Sequence, residues 1–443
     1  MLEWSRAAWR RHVPDVEDID AFVRDMGEGT IHGLAHATAL SHPDRPALRI
    51  GAEEVTHGEL DAMATRYSGR IAAGERVVLA APPSVRWAAE YLAILRAGGV
   101  VVPANPAYTE AELDAIGQAS RAATWAEGVG PDAVALLAFT SGTTGKPKAV
   151  PLTHRNLLTS IRVAMAAWRW RGDDVLVHAL PLFHQHGLGG LHATLIAGSS
   201  LHLLPRFDAE QLLQEVDDAT VLFAVPTMYQ RLARVAKNHL RLCVSGSAPL
   251  SRAVSEHAQR LLGRAPLVRY GTTESGLDTS QPYGEPNPDT VGIPLPGVEL
   301  RLAADGEILL RGPQVSAAHL IDGCFHTGDV GRLDVATGHL VIDGRTKEMI
   351  ITGGMKVYPR EVEVALEEHP DVAEAAVVGV PDERWGEQVT AWVVMRPGTD
   401  FDAAAIIEHA GRRLAPYKRP KEIRRVDALP RNHVGKIDRR LLH

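Results

Sequence analysis

Between residues 139 and 150 the chain reads Phe-Thr-Ser-Gly-Thr-Thr-Gly-Lys-Pro-Lys-Ala-Val. Glycines let backbone N–H groups turn toward an anion, hydroxyls add donors, and lysines add positive charge. A stretch of this kind suits phosphate. It differs from the NTPase P-loop, which needs Gly-x-x-x-x-Gly-Lys-Ser/Thr at the opening of a helix. Here Gly142 and Gly145 stand too close together, and Pro147 follows Lys146.

Further polar clusters follow short apolar runs. Ser245-Gly246-Ser247-Ala248 ends one run, and Arg269-Tyr270-Gly271-Thr272-Thr273-Glu274 ends another. Thr327-Gly328-Asp329, Gly344-Arg345-Thr346-Lys347, Gly353-Gly354-Met355-Lys356 and a near-terminal Gly435-Lys436 read as additional loops. A carboxylate such as Asp329 accepts both hydrogen bonds of a ribose diol. One such as Glu274 holds Mg²⁺ beside substrate phosphates, and Lys436 meets charge that develops as a phosphate bond breaks. Taken singly, a Thr-Gly-Asp is a turn and a terminal lysine is solvated. Their occurrence in one chain with the 139–150 stretch is what points to a nucleotide. His184 and His186 have no cysteine or carboxylate nearby to complete a metal set, and read as imidazoles lining a pocket.

Short runs at 47–50, 76–81, 99–102, 134–138, 175–179, 199–204, 221–225, 241–245 and 267–270 read as strands. Helical spacing occupies 57–73 and 84–97, and Thr153 caps another helix. This alternation predicts α/β layers on a mostly parallel sheet. Ligands of such sheets bind at the carboxyl ends of the strands, so the loops after 245 and 270 are expected to share a site with residues 140–148. From residue 294 the texture changes to short antiparallel strands at 298–302, 307–311 and 340–343. Beyond these come βαβ-like runs at 361–368, 372–380, 388–395 and 403–414, and a basic tail. The expected fold class is α/β. A large N-terminal domain of layered α/β subdomains plus a β subdomain spans 1–345, and a small, mobile α+β C-terminal domain spans 346–443.

The 443 residues suffice for two or three domains, and 45% hydrophobic with 23% charged residues is a globular composition. A formal charge of -7 offers no basic excess to displace counterions, so nucleic acid is not an expected partner. Two cysteines, Cys243 and Cys324, are too few for a disulfide framework, which fits a reducing cytoplasm. No apolar run approaches the roughly 18–20 residues of a membrane span. The N-terminus lacks a signal-peptide core, and its Trp4 and Trp9 read as anchors of a docking helix.

In this order the motifs resemble those of the adenylate-forming superfamily: acyl-CoA synthetases, aryl-CoA ligases, luciferases and the adenylation domains of peptide synthetases. The resemblance covers about residues 40 to 443, and Thr-Ser-Gly-Thr-Thr-Gly-Lys-Pro-Lys is its most specific part. Within the family the pattern is most similar to compact malonyl-CoA synthetases, through 180–188, 226–231 and 290–302. The resemblance implies that Thr140, Ser141, Gly142, Thr143, Thr144 and Lys148 hold the ATP β- and γ-phosphates. It implies an α-phosphate contact for Thr273 and a Mg²⁺ ligand in Glu274. Ser247, Ala248, Arg269, Tyr270, Gly271 and Thr272 match the nucleotide wall, while His184, Ser245, Gly246 and Gly276 match the acid pocket. Asp329 and Arg345 match ribose or phosphate contacts, Lys347 a hinge, Lys436 the lysine of adenylation, and Lys356 the loop for thioester formation.

A carboxylate is a poor electrophile, and transfer of AMP gives it a good leaving group. Two anions must then meet, and Lys436 with Mg²⁺ would offset their repulsion. The implied activity is AMP-forming ligation of a small or aromatic acid to CoA. Alternatives are transfer to a carrier protein or an amine, including activation of an oxyanion such as nitrite for N–N bond formation with an arylamine. One departure bears on substrate. Malonyl-CoA synthetases carry an arginine just ahead of the segment matching Thr290-Val291-Gly292, whereas this chain has Gly284-Glu285-Pro286-Asn287-Pro288-Asp289. A buried unpaired carboxylate costs several kcal/mol. Malonate is therefore expected to bind poorly unless Arg269 or Arg206 takes over.

Overall fold

The computed structural model describes residues 2–125, 128, 130–141, 147–236, 239–431 and 437–442. The chain forms two compact units, 1–301 with 309–326, and 302–308 with 327–443.

The first unit is built on a nine-stranded sheet. From one edge its strands are Ile293–Pro294, Thr279–Ser280, Leu267–Tyr270, Leu242–Ser245, Val221–Ala224, Val175–His178, Ser200–Leu203, Pro46–Ile50 and Glu53–Thr56. The pairs from Leu267–Tyr270 across to Pro46–Ile50 are parallel, and antiparallel pairs close both edges. Val221–Ala224 and Leu242–Ser245 are buried at every position, as strands covered on both faces must be. A second sheet carries Arg76–Leu79, Val100–Pro103, Val134–Ser141 and Pro147–Thr153. Its last two strands are antiparallel and set Thr140 opposite Lys148. The mostly parallel α/β layering expected from the sequence is present.

Helices begin where side chains satisfy their first N–H groups. Capping boxes join Thr56 with Glu59, Thr109 with Glu112, and Thr153 with Asn156. Several helices carry no helical reading in the sequence, among them Ile19–Met26, Ile31–Ser41, Ala209–Val216 and Arg252–Leu262. Glu110–Ala122 likewise fills an unassigned stretch, and Gln185–Ala197 begins within residues 180–188, which carry no secondary-structure reading in the sequence. Gly187, Gly189 and Gly190 lower the helical propensity of that second segment, so packing decides it. The N-terminal helix Leu2–His12 docks as expected: Trp9 Nε1 donates to Val298 O at 3.0 Å, and Ser5 Oγ accepts from Leu300 N at 3.2 Å. Among the described residues no helix is long and apolar enough to cross a membrane.

In the second unit Asp329 pairs with Arg345 in the antiparallel register of Cys324–Leu333 and Leu340–Arg345. Thr327-Gly328-Asp329 therefore lies inside a strand, not in the turn expected for it. Thr327 Oγ1 donates to Ile308 O at 2.8 Å and accepts from Asp329 N at 3.0 Å, while Gly328 takes a left-handed φ of 69°. A local kink thus satisfies the backbone within the strand. The rest of this unit is a sheet of Met355–Val357, Ile350–Thr352, Gly386–Met395, Val372–Asp382 and Glu422–Arg425, covered by helices Pro359–Glu367 and Ala403–Gly411. Among the described residues only Gly386–Met395 and Glu422–Arg425 form a parallel crossover; Val372–Asp382 pairs antiparallel, so the βαβ pattern expected there holds for one crossover. Ile350, Val362, Leu366, Val377, Val389 and Ile406 build its core.

One buried ion pair ties the first unit's sheet together. Asp174, whose side chain is fully buried, accepts from Arg241 Nε, Thr220 Oγ1 and Arg171 N, each at 2.8 Å. Burial pushes its pKa up, but Arg241, the Arg171 N–H and Thr220 outweigh that and hold it below the usual carboxylate value. Arg241→Ala would leave this carboxylate buried and unpaired. We expect a loss of about 3–5 kcal/mol in urea denaturation at neutral pH.

Candidate functional site

The carboxyl ends of the first unit's strands gather most of the anticipated residues. Thr140 is half-buried and faces the exposed Lys148 across the hairpin; Ser141 ends its strand. Gly142, Thr143 and Thr144 lie outside the described residues. Glu274 follows Thr273, whose carbonyl accepts from Gln185 Nε2 at 2.6 Å. The Glu274 carbonyl accepts from Ser316 N at 2.8 Å, and Ser316 Oγ donates to Pro151 O at 2.6 Å. Ser316 thereby fastens the Glu274 loop to the strand that carries Lys148. The His319 imidazole senses both: burial lowers its pKa, the Glu274 carboxylate opposes this, and the Lys148 ammonium adds to it.

The loop from Arg269 to Asp278 is held by its own polar groups. Gly276 N donates to Thr272 O at 2.9 Å, Ser275 N to Thr272 Oγ1 at 3.2 Å, and Ser275 Oγ to Asp278 Oδ2 at 2.5 Å. Leu277 N donates to Ser160 Oγ at 2.9 Å, anchoring the loop to helix His154–Ala167. A Cβ on Gly271 would lie 1.8 Å from Gly276 O, so only glycine lets the loop close. Tyr270, Gly271, Thr272, Thr273 and Glu274 remain half-buried along its accessible side.

Behind this loop lies a buried polar cluster. Arg269 is 8% exposed, and a Cβ on Gly246 would stand 2.4 Å from its Nε, so the glycine makes room for the guanidinium. Arg269 Nε, His186 Nε2, His178 Nε2 and Ser245 Oγ are buried without a hydrogen-bond partner among the described residues. Burial pulls the Arg269 pKa down to about 10, with Asp278 opposing. Burial first, then the Arg269 charge and the neighbouring His178, hold His186 well below the usual imidazole value. Ser247, at a left-handed φ of 69°, brings Oγ to 3.5 Å from His186 Nδ1, and Ala248 beside it is half-buried. A non-glycine residue in that conformation is strained, and such strain concentrates at functional sites. His184 is half-buried at the N-cap of Gln185–Ala197, its ring tilted at 53° to that of Phe183 with centroids 4.7 Å apart. The cluster offers a buried cation, neutral imidazoles and hydroxyls. It suits a small, anionic, hydrogen-bonding ligand.

The second unit holds the remaining candidates. Asp329 Oδ1 accepts from Arg345 Nε at 2.8 Å, with Asp329 buried and Arg345 more than half exposed. Lys347 is exposed in the turn Thr346–Glu348, and Lys356 is exposed on the strand that follows Gly353 and Gly354. Lys436 lies outside the described residues. Sequence reading did not identify Ser316, His319, Gln185, Ser160 or Asp278. The available signal was the buried Gln314-Val315-Ser316 after an apolar strand, because buried polar groups need partners.

A family model described as AMP-binding enzyme matches residues 35–126 and 117–319, and one described as AMP-binding enzyme C-terminal domain matches 361–436. The chain belongs to the AMP-binding enzyme family. It is 36% identical over 376 residues to the mitochondrial malonate–CoA ligase of Mus musculus, covering 70% of this chain and 64% of that protein. The chain thus spans less than two thirds of that relative's length. It is 36% identical over 489 residues to the 3-[(3aS,4S,7aS)-7a-methyl-1,5-dioxo-octahydro-1H-inden-4-yl]propanoyl:CoA ligase of Mycobacterium tuberculosis, covering 90% and 95% of the two chains. Among solved structures, ATP-bound MatB from Rhodopseudomonas palustris superposes with a TM-score of 0.84 at 34% identity, covering 93% of this chain and 98% of the other.

The enclosed imidazoles make stability depend on pH. Burial drives the pKa of His178, His192 and His154 down from 6.5 to about 3. The unfolded chain therefore binds protons that the folded chain refuses. The resulting destabilisation is absent above pH 6.5 and grows as pH falls toward 3. Urea midpoints at pH 7.5 and pH 4.5 should show a clear drop, and His178→Asn should shrink it.

Proposed function

We propose that the protein is an AMP-forming ligase that activates a small acid bearing a second anionic group, of the size of malonate, and passes the acyl group to the thiol of CoA. The observation that carries the substrate reading is Arg269, a guanidinium enclosed on the strand next to Ser245 with no ion pair among the described residues. The 284–289 segment brings no cation, but Arg269 answers the need that its absence raises. Arg206 is exposed at a bend and is the weaker candidate. Malonate is the acid in the printed name of the mouse relative, which supports this choice.

In the first step a carboxylate oxygen attacks the α-phosphorus of ATP and pyrophosphate leaves. In the second the thiol attacks the acyl carbon and AMP leaves. Thr140, Ser141, Gly142, Thr143, Thr144 and Lys148 would hold the β- and γ-phosphates, and Thr273 the α-phosphate. Glu274 offers one carboxylate, the donor count that suits Mg²⁺ shared with substrate phosphates, where the ion neutralises charge. Tyr270, Gly271, Thr272, Ser247 and Ala248 would face the nucleotide, and His184, Ser245, Gly246 and Gly276 the acid. Asp329 with Arg345 would anchor the ribose. A division at residues 345 and 346, with Lys347 as hinge, would let Lys436 serve adenylation and Lys356 serve thioester formation.

The test is ATP–pyrophosphate exchange with malonate, propionate, benzoate and nitrite, followed by product analysis with CoA, a carrier-protein thiol or an arylamine. Malonate should support exchange, and CoA should be acylated. Arg269→Met should lower kcat/KM for malonate by about 10²-fold and leave propionate little changed, since only malonate loses a buried charge partner. Exchange that favours propionate, or an Arg269→Met variant with wild-type malonate kinetics, would overturn the substrate reading. An N-nitrosated product would replace the acceptor.

A further inference from the structure

We propose that His319 positions the divalent cation of the site, its Nε2 accepting a hydrogen bond from water on the ion that Glu274 would hold. This inference rests on the reading above, and nothing in the motif pattern pointed to it. His319 ends the turn Ala317–His319, and its N–H donates to Ser316 O at 3.0 Å. Ser316 is 1% exposed and acts as a node, with N–H on Glu274 O and Oγ on Pro151 O. His319 Nδ1 stands 3.4 Å from the same Oγ. The imidazole is thereby fixed over the junction of the Glu274 loop and the strand that holds Lys148.

The hydrogen-bond bookkeeping at Ser316 fixes the tautomer. The hydroxyl has a single hydrogen, and it is directed at Pro151 O at 2.6 Å. Toward His319 the oxygen is then an acceptor, so Nδ1 carries the ring hydrogen and Nε2 presents a lone pair. A lone pair repels a bare phosphate oxygen, but it accepts from cation-bound water. Mg²⁺ retains several waters when bound by one carboxylate and substrate phosphates, so an outer acceptor beside Glu274 is the kind of group such a site uses. Half-burial leaves the ring within reach of solvent, whereas His178 and His186 are enclosed in the interior.

The experiment is calorimetric titration of ATP at graded Mg²⁺ and of AMP in EDTA, on the wild-type, His319→Leu and His319→Gln proteins. His319→Leu should raise the Mg²⁺ concentration that half-saturates ATP binding by about 10-fold and leave AMP affinity unchanged. His319→Gln, whose amide oxygen can accept, should recover most of that loss. Equal weakening of ATP and AMP, or an unchanged Mg²⁺ requirement in His319→Leu, would overturn the inference. A wild-type protein that binds neither nucleotide would instead overturn the functional reading on which it rests.

Discussion

A guanidinium enclosed with no ion pair among the described residues, which Asp278 reaches only through its field, is the constraint on which the site of the first unit depends. Desolvating Arg269 is costly, and its depressed pKa records that cost. The surroundings are arranged to tolerate the charge. Gly246 gives it space, Asp278 supports it through its field while bonded to Ser275, and His178 and His186 stay neutral beside it. Were those imidazoles charged, like charges would crowd one buried volume. An incoming anion would relieve the imbalance, which is the physical basis of the substrate reading proposed above.

Around that cluster the carboxyl ends of parallel strands do ordinary work. Parallel pairing directs the loops after Ser245 and Tyr270 to one edge of the sheet, and the Ser316 node fastens the Glu274 loop to the hairpin strand bearing Lys148. The loop bearing Glu274 and the strand bearing Lys148 are thus tied through one buried serine. Chemistry that brings two anions together needs this kind of arrangement, fixed before the reactants arrive.

Much of the architecture was legible in the chain. The strands recur as short apolar runs, and their alternation with helical spacing announced a parallel sheet; Thr153 was recognisable as a cap, and Leu2–His12 as a docking helix. Legibility failed where a local rule met a tertiary demand. Gln185–Ala197 carries three glycines that argue against a helix, yet burial of its faces stabilises one. Thr-Gly-Asp has the composition of a turn, but hydrogen bonds from Thr327 and Gly328 to residues 307 and 308 hold it within a strand. Each is decided by groups remote in sequence.

The order of the motifs determined the family, because phosphate-binding loops, acidic anchors and terminal lysines recur by residue type, and residue type is what a sequence records. The sequence also showed that residues 284–289 bring no cation. Only the folded chain distinguishes the two candidate arginines. Arg269 and Arg206 are equivalent as letters, and burial, which leaves one desolvated on a central strand and the other in water at a bend, separates them. His319 is the same case in smaller form: an unremarked histidine becomes informative once a single hydroxyl proton is assigned to Pro151 O.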